Sequence, residues 1–212
     1  MRNRLIIGGF YFTGLVLLSF GISLIITAGL GAGPWDALFV ALSYNIGLTV
    51  GSWTFIVGFI LILLNGLLLK QKPDFSALIT MFVIGSLVDF WLLVVFADIT
   101  IAALGSRLLI LLTGILSGAA GISCYLQSDF ARNPIDQSMM VFHQLTGKSL
   151  SFSKTFLEVA VLIVAFFIGG PIGVGTLLVA FGIGPLIQTF YKPVTALRTK
   201  VCDSGEINKQ TA

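Results

Sequence analysis

Six apolar stretches alternate with short polar ones along the chain, at approximately residues 5–30, 49–69, 76–97, 104–126, 151–169 and 176–191. A bilayer core of about 30 Å is crossed by about 20 helical residues, so each stretch is read as a membrane-spanning helix. The last two are short or glycine-rich, which leaves their ends loosely defined. Two further stretches, 34–46 and 134–146, carry helical signals but hold 13 residues each. At 1.5 Å rise per residue such a helix covers only about 20 Å, too little to cross. They must lie at the interface or dip in and out of the membrane.

These short helices belong to a duplication. Gly33-Pro34-Trp35-Asp36 returns one hundred residues later as Asn133-Pro134-Ile135-Asp136. At the same offset Thr13, Gly14, Gly21, Ile22, Ser23 and Gly47 match Thr113, Gly114, Gly121, Ile122, Ser123 and Gly147. With Pro34 and Asp36 that makes eight identities, where unrelated sequence of this composition gives about three. The third spans pair at an offset of 99, Leu78, Phe82, Ile84, Gly85 and Leu87 matching Leu177, Phe181, Ile183, Gly184 and Leu186. Each repeat carries three spans, an odd number, so the copies are expected to enter the membrane in opposite directions, a recurrent plan among transporters.

The expected fold is therefore an all-α polytopic membrane protein. Its six transmembrane helices form two inverted three-helix repeats, each with a short proline-led interfacial or re-entrant helix. Repeat 1 covers 1–100 and repeat 2 covers 101–196, the two forming one membrane domain, and 197–212 is expected as a loose cytoplasmic tail.

Composition agrees: 57% hydrophobic and 10% charged residues, with a mean hydropathy of +1.04, do not fit a soluble domain of this size. The first apolar stretch is too long for a signal-peptide core and is expected to be retained as a span. A pI near 9.0 reflects basic residues at segment ends rather than a nucleic-acid surface. Arg2, Arg4, Lys70, Lys72, Arg132, Lys148, Lys192, Arg198 and Lys200 all fall inside if the N-terminus is cytoplasmic, and Arg107 is the exception outside. Both termini are then cytoplasmic, in a multi-pass protein of the bacterial cytoplasmic membrane, with Asp36 and Asp98 on the outer side. Cys124 and Cys202 have neither metal nor disulfide spacing.

The proline–aspartate element has a structural reading. Proline suits the first helical position, Gly33 and Asn133 serve as N-caps, and an acid at the third position favours the helix dipole. Asn133 and Asp136 fit a capping box. Gly47 and Gly147 fit the left-handed position after a helix, and Thr49 and Ser149 cap the next one. The functional reading is that two helix N-termini face a solute from opposite sides, with Asp36 and Asp136 binding a cation or proton. The 134–146 helix is the more amphipathic copy, Asp136, Gln137, His143 and Gln144 sharing a face, and His143 is either a pH sensor or one more polar residue there.

Ionisable residues inside apolar spans are costly and therefore candidates for function. Asp89 lies within the third span, opposite the neutral Gln188 of the other repeat. Glu158 lies in the fifth, one helical turn after Lys154, which pairs with it or snorkels. The candidate binding residues are thus Asp36, Asp89, Asp136, Glu158, Lys154 and Asn133. Gly33, Pro34, Trp35, Pro134, Gly173, Gly175 and Thr176 form the structural motif. The 169–176 stretch lacks the ending of a phosphate loop and fits close helix packing or a broken helix. Gly14, Gly21, Gly114, Gly118 and Gly121 offer small faces for contact between spans. No catalytic set, metal set or cofactor is expected, and an enzyme is disfavoured.

The chain resembles the YczE/YyaS/YitT-type bacterial membrane proteins, closest to the YczE branch. The resemblance rests on Gly31-Ala32-Gly33-Pro34-Trp35-Asp36, Asn133-Pro134-Ile135-Asp136, the Glu158 span, Gly173-Val174-Gly175-Thr176 and Gly184-Pro185-Leu186, and covers the chain up to its tail. It implies a bacterial cytoplasmic-membrane protein and brings no substrate. Two functions compete. One is a small-solute or ion transporter with its site between inverted repeats. The other is a non-transporting membrane partner, either a substrate-binding subunit of a larger transporter or a regulator of an envelope or secretion pathway. The partners expected are the lipid bilayer, an unknown solute or ion, and a possible membrane protein or second copy, with no nucleic acid.

Overall fold

The structure, a computed structural model, describes residues 2–128, 130 and 133–210, with side chains described between 5 and 202 of that set. Among the described residues every regular element is helical. In order they are α1 (Arg2–Ala28), α2 (Pro34–Ile46), α3 (Val50–Leu69), α4 (Ala77–Phe90), α5 (Leu104–Tyr125), α6 (Pro134–Thr146), α7 (Leu150–Phe167) and α8 (Val174–Gln210). A π-helical turn, Trp91–Val95, extends α4, and a 3-10 turn, Leu126–Ser128, extends α5. Six of these segments are long and apolar enough to cross a membrane, and they coincide with the six expected spans. The short helices α2 and α6 match their expected limits residue for residue.

The polar stretch after 197 continues a helix, α8 running through Pro185 and Pro193 to Gln210. Lysine, arginine and glutamate are good helix formers, so polarity ended the apolar stretch without ending the helix.

The centre of the protein is an antiparallel pair, α1 and α5, brought together by glycines. A side chain added at Gly14 would meet the Gly121 carbonyl and Tyr125 amide, and one at Gly114 the Gly21 carbonyl and Ile25 amide. One at Gly21 would meet the Gly114 carbonyl and Gly118 amide, and one at Gly121 the Gly14 carbonyl and Leu18 amide. Backbones this close gain dispersion contact that larger residues would prevent. Around this pair, α4 packs on α1 and α3, α8 packs on α5, α2 packs on α7, and α6 packs on α3. Each short helix thus leans on a long helix from the other half of the chain. Asn45 Nδ2 donates to the Ile168 carbonyl at 2.8 Å, and the buried Asn65 Nδ2 donates to the Pro134 carbonyl at 3.1 Å.

The glycine motif at the start of α8 is a packing device. Gly31, at φ +111°, lies against Gly173 and Thr176, and the Gly175 amide donates to the Leu30 carbonyl at 2.8 Å. Thr176 Oγ1 accepts from the Gly173 amide at 3.1 Å, closing the turn on itself.

Arg107, the exception to the charge pattern, has a structural task. Its guanidinium donates to the Ala28 carbonyl at 2.7 Å and to the Gly29 carbonyl, so a fixed cation meets the orphan carbonyls ending α1. Hydrogen bonds to charged groups contribute about 1.5–3 kcal/mol, so Arg107→Ala is expected to lose that much in thermal or denaturant unfolding of the purified protein.

Candidate functional site

The site is built on the hairpin of α6 and α7. Asn133 caps α6, its Oδ1 accepting from the Ile135 amide at 3.0 Å, and Pro134 opens the helix. Gly147, left-handed at φ +69°, turns the chain, and Ser149 Oγ accepts from the Phe152 amide at 3.2 Å to start α7. The two helices then lie side by side, with Phe142 stacked on Phe156 at 4.8 Å between ring centres.

Towards the start of α6, Ile135, Asp136 and Met139 face Lys154, Leu157 and Glu158 across a cavity of about 30 Å³. Trp35 of α2 completes its wall, so the two copies of the proline–aspartate motif meet there. A water needs roughly 10–15 Å³ of such space, so the cavity admits one or two water-sized occupants. Lys154 Nζ lies 3.8 Å from Glu158 Oε1 on the same helix face. Glu158 is the ninth residue of the 18 in α7 (158 − 149), which puts this polar cluster halfway along a span.

Asp136 is also part of a second wall. It lines a cavity of about 480 Å³ together with Tyr125, Phe130, Tyr191, Ile122, Leu126 and Ile187, and Tyr125 Oη donates to its Oδ2 at 3.4 Å. Across Phe130 and Pro134 lies a further cavity of about 520 Å³, lined by Asn65, Lys72, Asp74 and Gln137 among others. The start of α6 therefore stands among three cavities, two large and one small. Asn133 caps α6 as expected, and the Asp136 carboxylate accepts from Tyr125 Oη and borders the cavities.

The remaining candidates do not line the small cavity. Asp89 holds the start of α3, accepting from Thr49 Oγ1 and, at 2.8 Å, from the Gly51 amide. A carboxylate there satisfies orphan amides and favours the helix dipole. Asp89→Asn is expected to cost about 1 kcal/mol of stability, the typical value of a lost cap, measured by denaturant unfolding.

Asp36 is half-buried in the first turn of α2, where a side chain added at Gly33 would meet both its carboxylate and Val179. Burial pushes its carboxyl up from 3.8 to about 7. Between those values the folded state holds a proton that the unfolded state has lost, so stability falls as pH rises through this window. Wild type is expected to unfold at a lower temperature at pH 8 than at pH 5, and Asp36→Asn to remove that part of the slope. An unchanged slope in the variant would assign it to other groups.

Three aromatic residues of the cavity beside Asp136, Tyr125, Phe130 and Tyr191, escaped sequence reasoning, as did Asn65. Asn65 carried a signal, since it is polar in an apolar span whose repeat partner is Ala165. The aromatic residues carried none, because aromatic rings recur throughout the spans.

Six apolar spans of this kind define a multi-pass integral membrane protein. The chain belongs to the DUF6198 family, described as a family of unknown function, whose model matches residues 7–192. It is 41% identical over 181 residues to the "Uncharacterized protein YyaS" of Bacillus subtilis (strain 168), covering 85% of this chain and 90% of that protein. It is 32% identical over 180 residues to the "Uncharacterized membrane protein YczE" of the same organism, covering 84% and 82% respectively. A Haemophilus influenzae protein is 29% identical over 189 residues, 86% of this chain and 82% of its own. No solved structure matches the chain.

Proposed function

We propose that the chain is a transporter of small cations or small cationic solutes, with its site at Asp136, Lys154 and Glu158 between two inverted repeats. The observation that carries this reading is the small cavity where Trp35 meets Ile135 and Asp136 halfway along α7. Two carboxylates beside one ammonium favour a cation, and the space suits a water-sized one. The cavity of about 480 Å³ is the size of a small-molecule site, and aromatic faces around a carboxylate suit an organic cation.

The repeat arrangement draws support from the α1–α5 contacts. Exchanging the repeats turns the contact of Gly14 with Gly121 and Tyr125 into that of Gly114 with Gly21 and Ile25. Contacts that map onto themselves this way suit a two-fold axis between inverted repeats. In the proposed topology both termini are cytoplasmic, α2 reaches the site from the outer side and α6 from the inner. A membrane-impermeant thiol reagent should then label Tyr44→Cys from outside and Gln144→Cys only from inside. The same sidedness for both would sink the inverted arrangement.

Transport itself is tested with purified protein in proteoliposomes carrying imposed gradients of sodium, potassium, protons, guanidinium or tetramethylammonium. Flux of one of these by the protein alone, and its stabilisation by that cation against heat, would support the reading. It would also exclude a purely non-transporting partner. Neither flux nor stabilisation with any of the five would count against a cation transporter.

A further inference from the structure

The α1–α5 contacts survive exchange of the repeats, but α4 and α8 do not follow. In the first repeat α4 lies on α3, where the Gly51 and Gly85 backbones touch and Asp89 holds the start of α3. The equivalent residues are Ser151, Gly184 and Gln188, and they are apart. A side chain added at Gly184 would meet nothing within 4 Å, Gln188 is exposed, and α7 and α8 make no comparable packing.

α8 instead lies more extensively along α5 than α4 does along α1. Ser123 Oγ donates to the Ile187 carbonyl at 3.2 Å across that interface. Its repeat equivalent, Ser23, is fully buried, and its hydroxyl has no hydrogen-bond partner among the described residues. The carbonyl that would satisfy it by symmetry is that of Val88 in α4. A buried hydroxyl without a partner is unfavourable, and α4 taking on α1 the seat equivalent to the one α8 holds on α5 would remove the defect.

We infer that α4 and α8 exchange these two seats. In the second conformer α8 moves onto α7, where the Gln188 carboxamide oxygen accepts from Ser149 Oγ and the Ser151 amide, as Asp89 does now at α3. At the same time α4 leaves α3 and shifts along α1, on which it already packs, until Ser23 donates to the Val88 carbonyl.

The consequence is alternating access. The cavity beside Asp136 is lined by Ile122, Tyr125, Ile187 and Tyr191, whose repeat equivalents are Ile22, Ile25, Val88 and Leu92. Tyr125 and Ile122 pack on the same core as Val88 and Ile22, so the two sides differ at α4 and α8: Val88 is 1% exposed and Leu92 packs on that core, whereas Ile187 is half-buried and Tyr191 is 43% exposed, which leaves the first-repeat side shut. Exchange of the seats opens the first-repeat side and closes the Asp136 side. Its role in carrying a solute rests on the transport reading, whereas the exchange itself is measurable without a substrate.

The test uses full-length protein in lipid nanodiscs with Cys124 and Cys202 changed to serine. Spin labels at Lys148 and Lys192 report α7 against α8, and labels at Leu48 and Leu93 report the equivalent pair. Two distances are expected in each pair, the major one of either matching the minor one of the other. Ser149→Cys with Gln188→Cys should form a disulfide on oxidation, as should Thr49→Cys with Asp89→Cys in the present conformer, where Thr49 and Asp89 are hydrogen-bonded. A single distance in each pair, with no 149–188 disulfide in a protein that remains folded and monodisperse, overturns the exchange. Two distances in a protein without flux leave the exchange standing and remove the transport reading. Flux with a single distance in each pair does the reverse.

Discussion

Glu158→Gln is expected to reduce cation flux or cation-dependent stabilisation by about tenfold or more, since a loss of only 1.4 kcal/mol at the site already gives that factor. The reason lies in what Glu158 costs and what it gains. An ionised side chain at the centre of a membrane helix costs about 2.5–3.5 kcal/mol on insertion scales. Its partner Lys154 is one turn away at 3.8 Å, with side-chain exposures of 45% and 27% for the lysine and glutamate. In the span the pairing with Lys154 offsets part of that cost, and the Glu158 carboxylate still borders the small cavity, where the proposed cation would be a second partner. Glutamine keeps the shape and the acceptor oxygen, so the variant should insert and unfold within a few degrees of wild type. A lowered unfolding temperature with unchanged flux would instead make Glu158 a structural anchor.

Gly21→Ala is expected to destabilise the protein strongly, although alanine is the better helix former. The gain in propensity is about 1 kcal/mol. Against it, the added methyl would lie 2.5 Å from the Gly118 nitrogen and 2.6 Å from the Gly114 oxygen. Both are backbone atoms, so no side chain can rotate aside and α1 must part from α5. Overpacking of this kind costs about 1–3 kcal/mol or more, and here it opens the central interface. Gly105→Ala, where the methyl meets nothing within 4 Å, is the control and should stabilise by about 0.4–1 kcal/mol. Thermal unfolding of the two variants in the same detergent decides it: equal shifts would mean that the α1–α5 contact is not limiting.

Asp36 and Asp136 show how far the repeat was readable. Each follows a proline in the first turn of a 13-residue helix, and the limits of both helices were legible from those residues alone. Their surroundings were not. Asp136 accepts from Tyr125, whereas the residue equivalent to Tyr125 beside Asp36 is Ile25, and Asp36 lies instead against Gly33 and Val179. Asp89 and Glu158 looked alike as acids in apolar spans, yet one caps α3 and the other faces a cavity. The Lys154–Glu158 pair was legible, because residues four apart on a helix are neighbours whatever the fold.

By itself the sequence determined the number of spans, the two short helices, their proline starts and glycine ends, and the duplication. These depend on hydropathy summed over about 20 residues and on contacts within a single helical turn, both local in the chain. Only the tertiary structure decided which acids share a cavity, that Arg107 closes the end of α1, and that α8 sits on α5 rather than on α7. In a membrane the faces turned to lipid are as apolar as those turned to other helices, so hydropathy cannot say which way a span points. That choice falls to glycine contacts and hydrogen bonds between segments a hundred or more residues apart, such as Ser117 Oγ donating to the Leu17 carbonyl.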